Sequence, residues 1–121
     1  MNVRRWRAPL LWAVVILIVS SVPIPAVAAP AGTDKGVHAL LYLVLGFLAI
    51  RSLLNARTVP VWHLLVLVVG VLVFGALDEA HQLFIPGRTA DPKDWVADAV
   101  GSVAGMAAGI FRLRRPPTTS L

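Results

Sequence analysis

The sequence contains no cysteine, which excludes disulfides, thiolate metal sites and cysteine nucleophiles. It is also short of charge. Only 14% of its 121 residues are Asp, Glu, Lys or Arg, against about 25% in an average soluble domain. Hydrophobic residues make up 58%, and the mean hydropathy is +0.80. Disorder needs the opposite balance, with few apolar residues and high net charge, so it is excluded. An ordinary water-soluble fold is disfavoured for the same reason. At this length the chain forms one compact unit.

What is present is a set of long runs without charge. No ionisable side chain occurs from Ala8 to Thr33. Further apolar runs start at Gly36, Val61 and Trp95. A helix needs about 20 apolar residues to cross the hydrocarbon of a bilayer, and lipid offers no partner for exposed backbone amides. The expectation is an all-α membrane protein, a bundle of four transmembrane helices over about 8–24, 36–54, 61–85 and 95–111. The fourth is short and rich in small residues. Pro23, Pro25 and Pro30, then Pro60, then Pro86, Gly87 and Pro92 fall in the breaks and suit turns.

The charges give the spans an orientation. Arg4, Arg5, Arg7, Arg51, Arg57, Arg112, Arg114 and Arg115 lie at one set of helix ends, and only Lys35, Arg88 and Lys93 at the other. The positive-inside rule puts the arginine-rich ends and both termini in the cytoplasm. All six acids, Asp34, Asp78, Glu79, Asp91, Asp94 and Asp98, lie toward the opposite side. The net charge of +5 and the pI of about 11.2 therefore come from topology anchors. Nucleic-acid binding, which needs bases clustered on one face, has no support. The first segment has a second reading as a signal peptide, with Arg4 to Arg7 as its basic region and Ala26-Val27-Ala28 as an A-x-A cleavage site.

Several polar side chains stand where apolar ones are expected. Asp34, His38 and Tyr42 follow i, i+4, i+8 spacing and share one helical stripe, with Lys35 beside them. Asp78, Glu79, His81 and Gln82 are enclosed by apolar sequence on both sides. A carboxylate at depth costs about 2.5–3.5 kcal/mol, so it turns toward a partner or a wet cavity. The competing reading ends the helix early and leaves these groups among the headgroups. Arg88 is the only arginine on the outer side, with Glu79, Asp91 and Asp94 as its nearest candidate partners and a fork suited to carboxylate or phosphate. Asp94 is read as a helix cap, whereas Asp98, one turn further on, is too deep for that role. Gly75 precedes Glu79 by one turn and invites close approach of a neighbouring helix. Gly101, Gly105 and Gly109, with Ala97, Ala104 and Ala108, form a double G-x-x-x-G face for packing within the chain or between two copies. His63, beside Pro60 and Trp62, is read as interfacial at the cytoplasmic end.

Taken together, these pieces resemble the VanZ-like family of small bacterial membrane proteins. The resemblance rests on Asp34-Lys35-x-x-His38-x-x-x-Tyr42 with Leu45-Gly46-Phe47-Leu48, then on Gly75-x-x-x-Glu79-x-x-Gln82-Leu83-Phe84-x-Pro86-Gly87-Arg88, and finally on Asp94-Trp95-x-x-Asp98-x-x-Gly101. Ser20-Ser21 at the end of the first helix also fits. Asp98 stands where the family more often has asparagine, and Ala39 where an aromatic is common. The resemblance implies a multi-pass protein of the bacterial cytoplasmic membrane, in a family whose founding member is associated with teicoplanin resistance.

Three function classes follow. The first is an envelope protein whose outward polar site, built from Asp34, Lys35, His38, Tyr42, Glu79, Gln82, Arg88, Asp94 and Asp98, binds a lipid-linked wall precursor or a lipid headgroup. The second is an intramembrane hydrolase or transferase with His38 as base and Glu79 or Asp94 orienting it. The third is a transporter, disfavoured because no charge lies at mid-depth. No cofactor is expected, and no metal. A chelate of His38, His81, Glu79 and Asp94 is disfavoured, since Glu79 and His81 are i, i+2 and face different ways.

Overall fold

The structure is a computed structural model that describes residues 2–22, 33–55 and 59–115; the side chains of Thr33 and Asp34 are outside that description. Pro23, Pro25, Pro30, the Ala26-Val27-Ala28 stretch and Arg57 also lie outside the described residues. A 3-10 turn, Val3–Trp6, leads into α1 (Arg7–Ser21), followed by α2 (Thr33–Leu54), α3 (Val61–Gln82) and α4 (Pro92–Leu113). Among the described residues every regular element is helical. Three of the helices, α2 to α4, are long and apolar enough to cross a membrane. At 22 residues each, they reach about 33 Å, against a hydrocarbon core of about 30 Å. The shorter α1 has 15 residues.

The helices differ from the sequence expectation at several ends, with α2 starting at Thr33 and α4 reaching Leu113, and two of the differences have clear local reasons. Instead of continuing to residue 85, α3 ends at Gln82. The chain then tightens into i→i+3 bonds, Leu83 to Ala80, Phe84 to His81 and Ile85 to Gln82, because Pro86 disfavours helical backbone at the residue before it. Ile85 to Arg88 form a type II turn. Pro86 sits at its second position, Gly87 takes the positive φ (78°) its third requires, and the Arg88 N–H donates to the Ile85 carbonyl at 3.1 Å. At the other boundary α4 begins at Pro92, not at residue 95. Asp91 is its N-cap, accepting from the Lys93 N–H at 2.9 Å, and proline fills the first helical position, where no N–H is needed. Asp94 therefore lies inside the first turn and is not the cap.

The tightest packing joins α2 to α4. The two run parallel, with Ala39, Leu43 and Phe47 meeting Gly101, Gly105 and Gly109 in the same order. A Cβ at Gly101 would strike the Ala39 carbonyl, one at Gly105 the Leu43 carbonyl, and one at Gly46 the Ser102 carbonyl. Backbone thus rests on backbone, which only glycine allows. Of the two partners the sequence leaves open for the Gly101, Gly105 and Gly109 face, the structure has α2 of the same chain. Ala104 and Ala108 are exposed rather than part of that seam, where Ser102 and Met106 are buried instead.

The other helices close around this pair. Gly75 of α3 faces Tyr42, Trp95 and Asp98, which a Cβ added there would meet at 3.4–3.6 Å. The Trp95 indole donates to the Leu72 carbonyl at 3.0 Å, and the Trp12 indole of α1 to the Leu41 carbonyl at 2.8 Å. Ile16, Tyr42, Leu45, Ile50, Val71 and Met106 make up the apolar core. Large apolar side chains such as Leu11, Ile18, Leu40, Leu65, Val69, Leu77 and Val100 point outward. An exterior this apolar along the helices is suited to lipid.

The helix ends sort by charge. Ser52, near the end of α2, donates to the Arg5 carbonyl at 2.7 Å, so the arginine-rich start of the chain lies beside Arg51. A cleft lined by Leu54, Pro60, Leu64, Ile110 and Arg114 joins the ends of α2, α3 and α4 there. Glycine substitutions test the packing. Gly105→Ala is expected to lower the stability of the purified protein by more than the roughly 1–3 kcal/mol of ordinary overpacking, since backbone must move. Gly70→Ala, whose Cβ meets nothing within 4 Å, is expected to be neutral or to stabilise by up to about 1 kcal/mol. Thermal unfolding in detergent compares them.

Candidate functional site

The end of the bundle opposite the arginines gathers the C-terminal ends of α1 and α3 and the N-terminal ends of α2 and α4. Into it point five ionisable side chains that are almost wholly buried: His38 (4% exposed), Asp78 (1%), Glu79 (6%), Asp94 (3%) and Asp98 (1%). Gln82 and Tyr42 are buried with them at 1% each. The expectation that part of the Asp78–Gln82 stretch faces the bundle interior is met by Asp78, Glu79 and Gln82 together, while His81 is exposed.

The α2–α4 seam sets the central contact. His38 immediately precedes Ala39, and Asp98 lies one helical turn before Gly101, the pair of residues whose backbones touch. His38 Nδ1 consequently stands 2.9 Å from Asp98 Oδ1 and 3.9 Å from Glu79 Oε1. Donor atoms of His38, Glu79 and Asp98 all lie within 4.8 Å of one another. Glu79 is held from its other side, where Oε2 accepts from the Asp91 backbone N–H at 3.1 Å, and Gln82 Nε2 donates to Oε1 at 3.4 Å.

Two further carboxylates have separate partners. Asp78 Oδ2 accepts from the Ser20 hydroxyl of α1 at 3.0 Å and from the Tyr42 hydroxyl of α2 at 3.1 Å. Asp94 Oδ1 accepts from the Lys35 ammonium at 3.1 Å, and Asp91 Oδ2 from the same ammonium at 3.3 Å. The Lys35 side chain is 42% exposed and stands at the rim. Among the described residues no lysine or arginine pairs with Asp78, Glu79 or Asp98. Asp98 Oδ2 and Asp78 Oδ1 are buried carboxylate oxygens with no hydrogen-bond partner there.

The structure rearranges several sequence assignments. Instead of a neighbouring carboxylate, Arg88 reaches the end of α1, its Nε donating to the Val22 carbonyl at 3.2 Å and Nη2 to the Val19 carbonyl at 3.1 Å. It is a C-terminal cap for a helix distant in sequence. The residue that orients His38 is Asp98, not Glu79 or Asp94. His81 lies away from the cluster, 3.0 Å from the Ser21 hydroxyl. His63 stacks on Trp62 near the start of α3, at the far end. The sequence-based site omits Asp78 and Ser20. Their signal was present, a serine closing an apolar helix and a carboxylate beside Glu79, but no spacing within one helix links residues 58 apart.

Asp91, in the loop, has its carboxyl held below the usual carboxylate range. The chief cause is the Lys93 backbone N–H, with the Lys35 ammonium assisting and partial burial acting against both. A folded-state pKa below the unfolded one stabilises at neutral pH, and that stability is lost as the pH falls through the folded value. Asp91→Asn keeps the cap oxygen and removes the titration. The stability difference between the two proteins should therefore close as the pH drops below about 4, measured by thermal unfolding across pH. For the buried pair, Tyr42→Phe and Ser20→Ala should each cost about 0.6–1.7 kcal/mol, the span of hydrogen bonds in membrane proteins. Their effects should not add, because both act on Asp78 Oδ2; equilibrium unfolding of the single and double variants measures this.

No curated protein and no solved structure matches the chain. A family model described as VanZ/LLP1 matches residues 6–114. That span takes in all four helices and every member of the buried cluster. With the motif residues assembled at one end of an apolar helical bundle, the chain belongs to the VanZ-like family.

Proposed function

We propose that this chain is a multi-pass protein of the bacterial cytoplasmic membrane that crosses the bilayer four times with both termini in the cytoplasm, and that the buried polar cluster lies at its outer end. There it receives the polar headgroup of an envelope lipid or lipid-linked wall precursor, and through it the protein contributes to teicoplanin resistance or envelope homeostasis. One observation carries this reading: His38, Glu79, Gln82, Asp94 and Asp98 converge from three helices at the end opposite the arginine-rich one. Ionisable groups enclosed in a membrane bundle usually mark a binding site or pathway. With two of its N–H groups engaged by α1, Arg88 yields the part of anion receiver to Lys35, which stands half-exposed beside Asp91 and Asp94.

A second reading draws on the 2.9 Å contact between His38 Nδ1 and Asp98 Oδ1. A carboxylate that orients an imidazole is the arrangement of a general base. An intramembrane hydrolase or transferase acting on a lipid-linked envelope precursor would use His38 to take a proton from water, with Asp98 fixing the ring. The two readings separate on turnover. Release of product from a lipid-linked pyrophosphate by the purified protein, lost in His38→Gln, selects the enzyme.

The binding reading is tested in cells. His38→Ala and Glu79→Gln are expected to abolish any teicoplanin or envelope phenotype while membrane abundance stays at the wild-type level. Arg88→Ala is expected to reduce abundance, because it removes the cap of α1. If His38→Ala and Glu79→Gln leave the phenotype intact at normal abundance, the headgroup site is wrong.

A further inference from the structure

We propose that His38, Glu79 and Asp98 form a binding site for one divalent transition-metal cation. The proposal is independent of the headgroup reading, since it concerns what the purified chain binds in the absence of any lipid ligand.

The geometry comes first. Around a tetrahedral cation with ligands at about 2.0–2.2 Å, neighbouring donor atoms stand about 3.3–3.6 Å apart. His38 Nδ1 and Asp98 Oδ1 are at 2.9 Å, Nδ1 and Glu79 Oε1 at 3.9 Å, and the whole set is within 4.8 Å. Shifts of about 0.5 Å between His38 and Asp98 and of about 1–1.5 Å at the Glu79 carboxylate bring the three donors to that spacing. The three residues come from three helices, and each helix is anchored nearby. Asp98 is placed by the Gly101–Ala39 contact, His38 by the same contact, and Glu79 by the Asp91 N–H and Gln82. Such outer hydrogen bonds hold a metal-ligating carboxylate in position.

Charge is the second argument. Glu79 and Asp98 bring two negative charges into an apolar bundle, and among the described residues no lysine or arginine pairs with either. Of the other buried acids, Asp94 is paired with Lys35, and Asp78 accepts from two hydroxyls through Oδ2. A divalent cation between Glu79 and Asp98 makes the triad neutral, taking the place of the proton between Nδ1 and Oδ1. Buried charge in a membrane is tolerated when paired in this way.

The third observation is on Asp98 itself. Its Oδ2 is a buried carboxylate oxygen with no hydrogen-bond partner among the described residues. Buried polar atoms are nearly always satisfied, and a cation at the triad would satisfy this one. A bidentate Asp98 would use both oxygens.

One imidazole nitrogen and two carboxylates favour zinc or manganese over magnesium and calcium, which take oxygen alone. Three protein ligands leave a coordination position for water or a phosphate oxygen.

The test uses the full chain in detergent, stripped with a chelator and then titrated with Zn²⁺ or Mn²⁺. The expected result is one metal per chain after gel filtration, by elemental analysis, with a higher thermal midpoint. Asp98→Asn, nearly isosteric, and His38→Gln should each weaken binding by more than the roughly 10–100-fold lost with an outer-shell partner, whereas Asp91→Asn should bind as wild type. If both ligand variants misfold, Co²⁺ bound to the wild-type chain reports the ligand set, with absorption bands of a mixed nitrogen and oxygen site expected. The proposal is overturned by wild-type protein that binds no Zn²⁺ or Mn²⁺, by folded Asp98→Asn with unchanged affinity, by Mg²⁺ competing as well as Zn²⁺, or by an oxygen-only Co²⁺ spectrum.

Discussion

The contact on which the rest of this molecule depends is the glycine seam between α2 and α4. Helices in lipid gain little from burying apolar surface against one another, because the tails outside are equally apolar. Close van der Waals contact and polar bonds must hold them, and both need short interaxial distances. Gly46, Gly101 and Gly105 supply that distance by letting one backbone rest on the carbonyls of the other. The register that follows is rigid, and it carries His38 to within hydrogen-bonding distance of Asp98.

The polar end of the bundle is a consequence of the same closeness. Four carboxylates and an imidazole share a small volume from which water is largely excluded, and their burial is tolerable only with partners at short range. The partners divide the cluster into parts. Ser20 and Tyr42 serve Asp78, Lys35 serves Asp94 and Asp91, and Asp98 and Glu79 are left to His38 and to the backbone of the α3–α4 loop. Arg88 is excluded from this division because α1 ends without enough donors for its last carbonyls, and the Pro86-Gly87 turn delivers a guanidinium to them. A residue that resembles a ligand clamp by type is, by position, a fastening between α1 and the α3–α4 loop.

Helices and buried stripes were largely readable from residue order. Apolar runs broken by proline defined the helices, and the i, i+4 spacing of His38 and Tyr42 placed both on one stripe, which the fold buries. The G-x-x-x-G repeat announced a tight contact at Gly101, Gly105 and Gly109. Sequence expectation and structure differ where two local signals compete. Asp91-Pro92 outranked Asp94 as the helix start because proline belongs at the first helical position. The helix α3 stopped short of Pro86 because the residue before proline avoids helical backbone. Asp78 escaped the candidate site because its partners, Ser20 and Tyr42, lie on other helices.

The sequence by itself determined the class of this protein and the sidedness of its charge, since both follow from one-dimensional patterns: apolar runs long enough for lipid, and arginines gathered, Arg88 excepted, at alternate breaks. Only the tertiary structure decided which helices touch and which acid meets the histidine. Helical periodicity gives the face of a residue but not the neighbour across from it. His38 and Asp98, 60 residues apart, become partners through the register of the α2–α4 seam, which exists only once the two backbones have packed together.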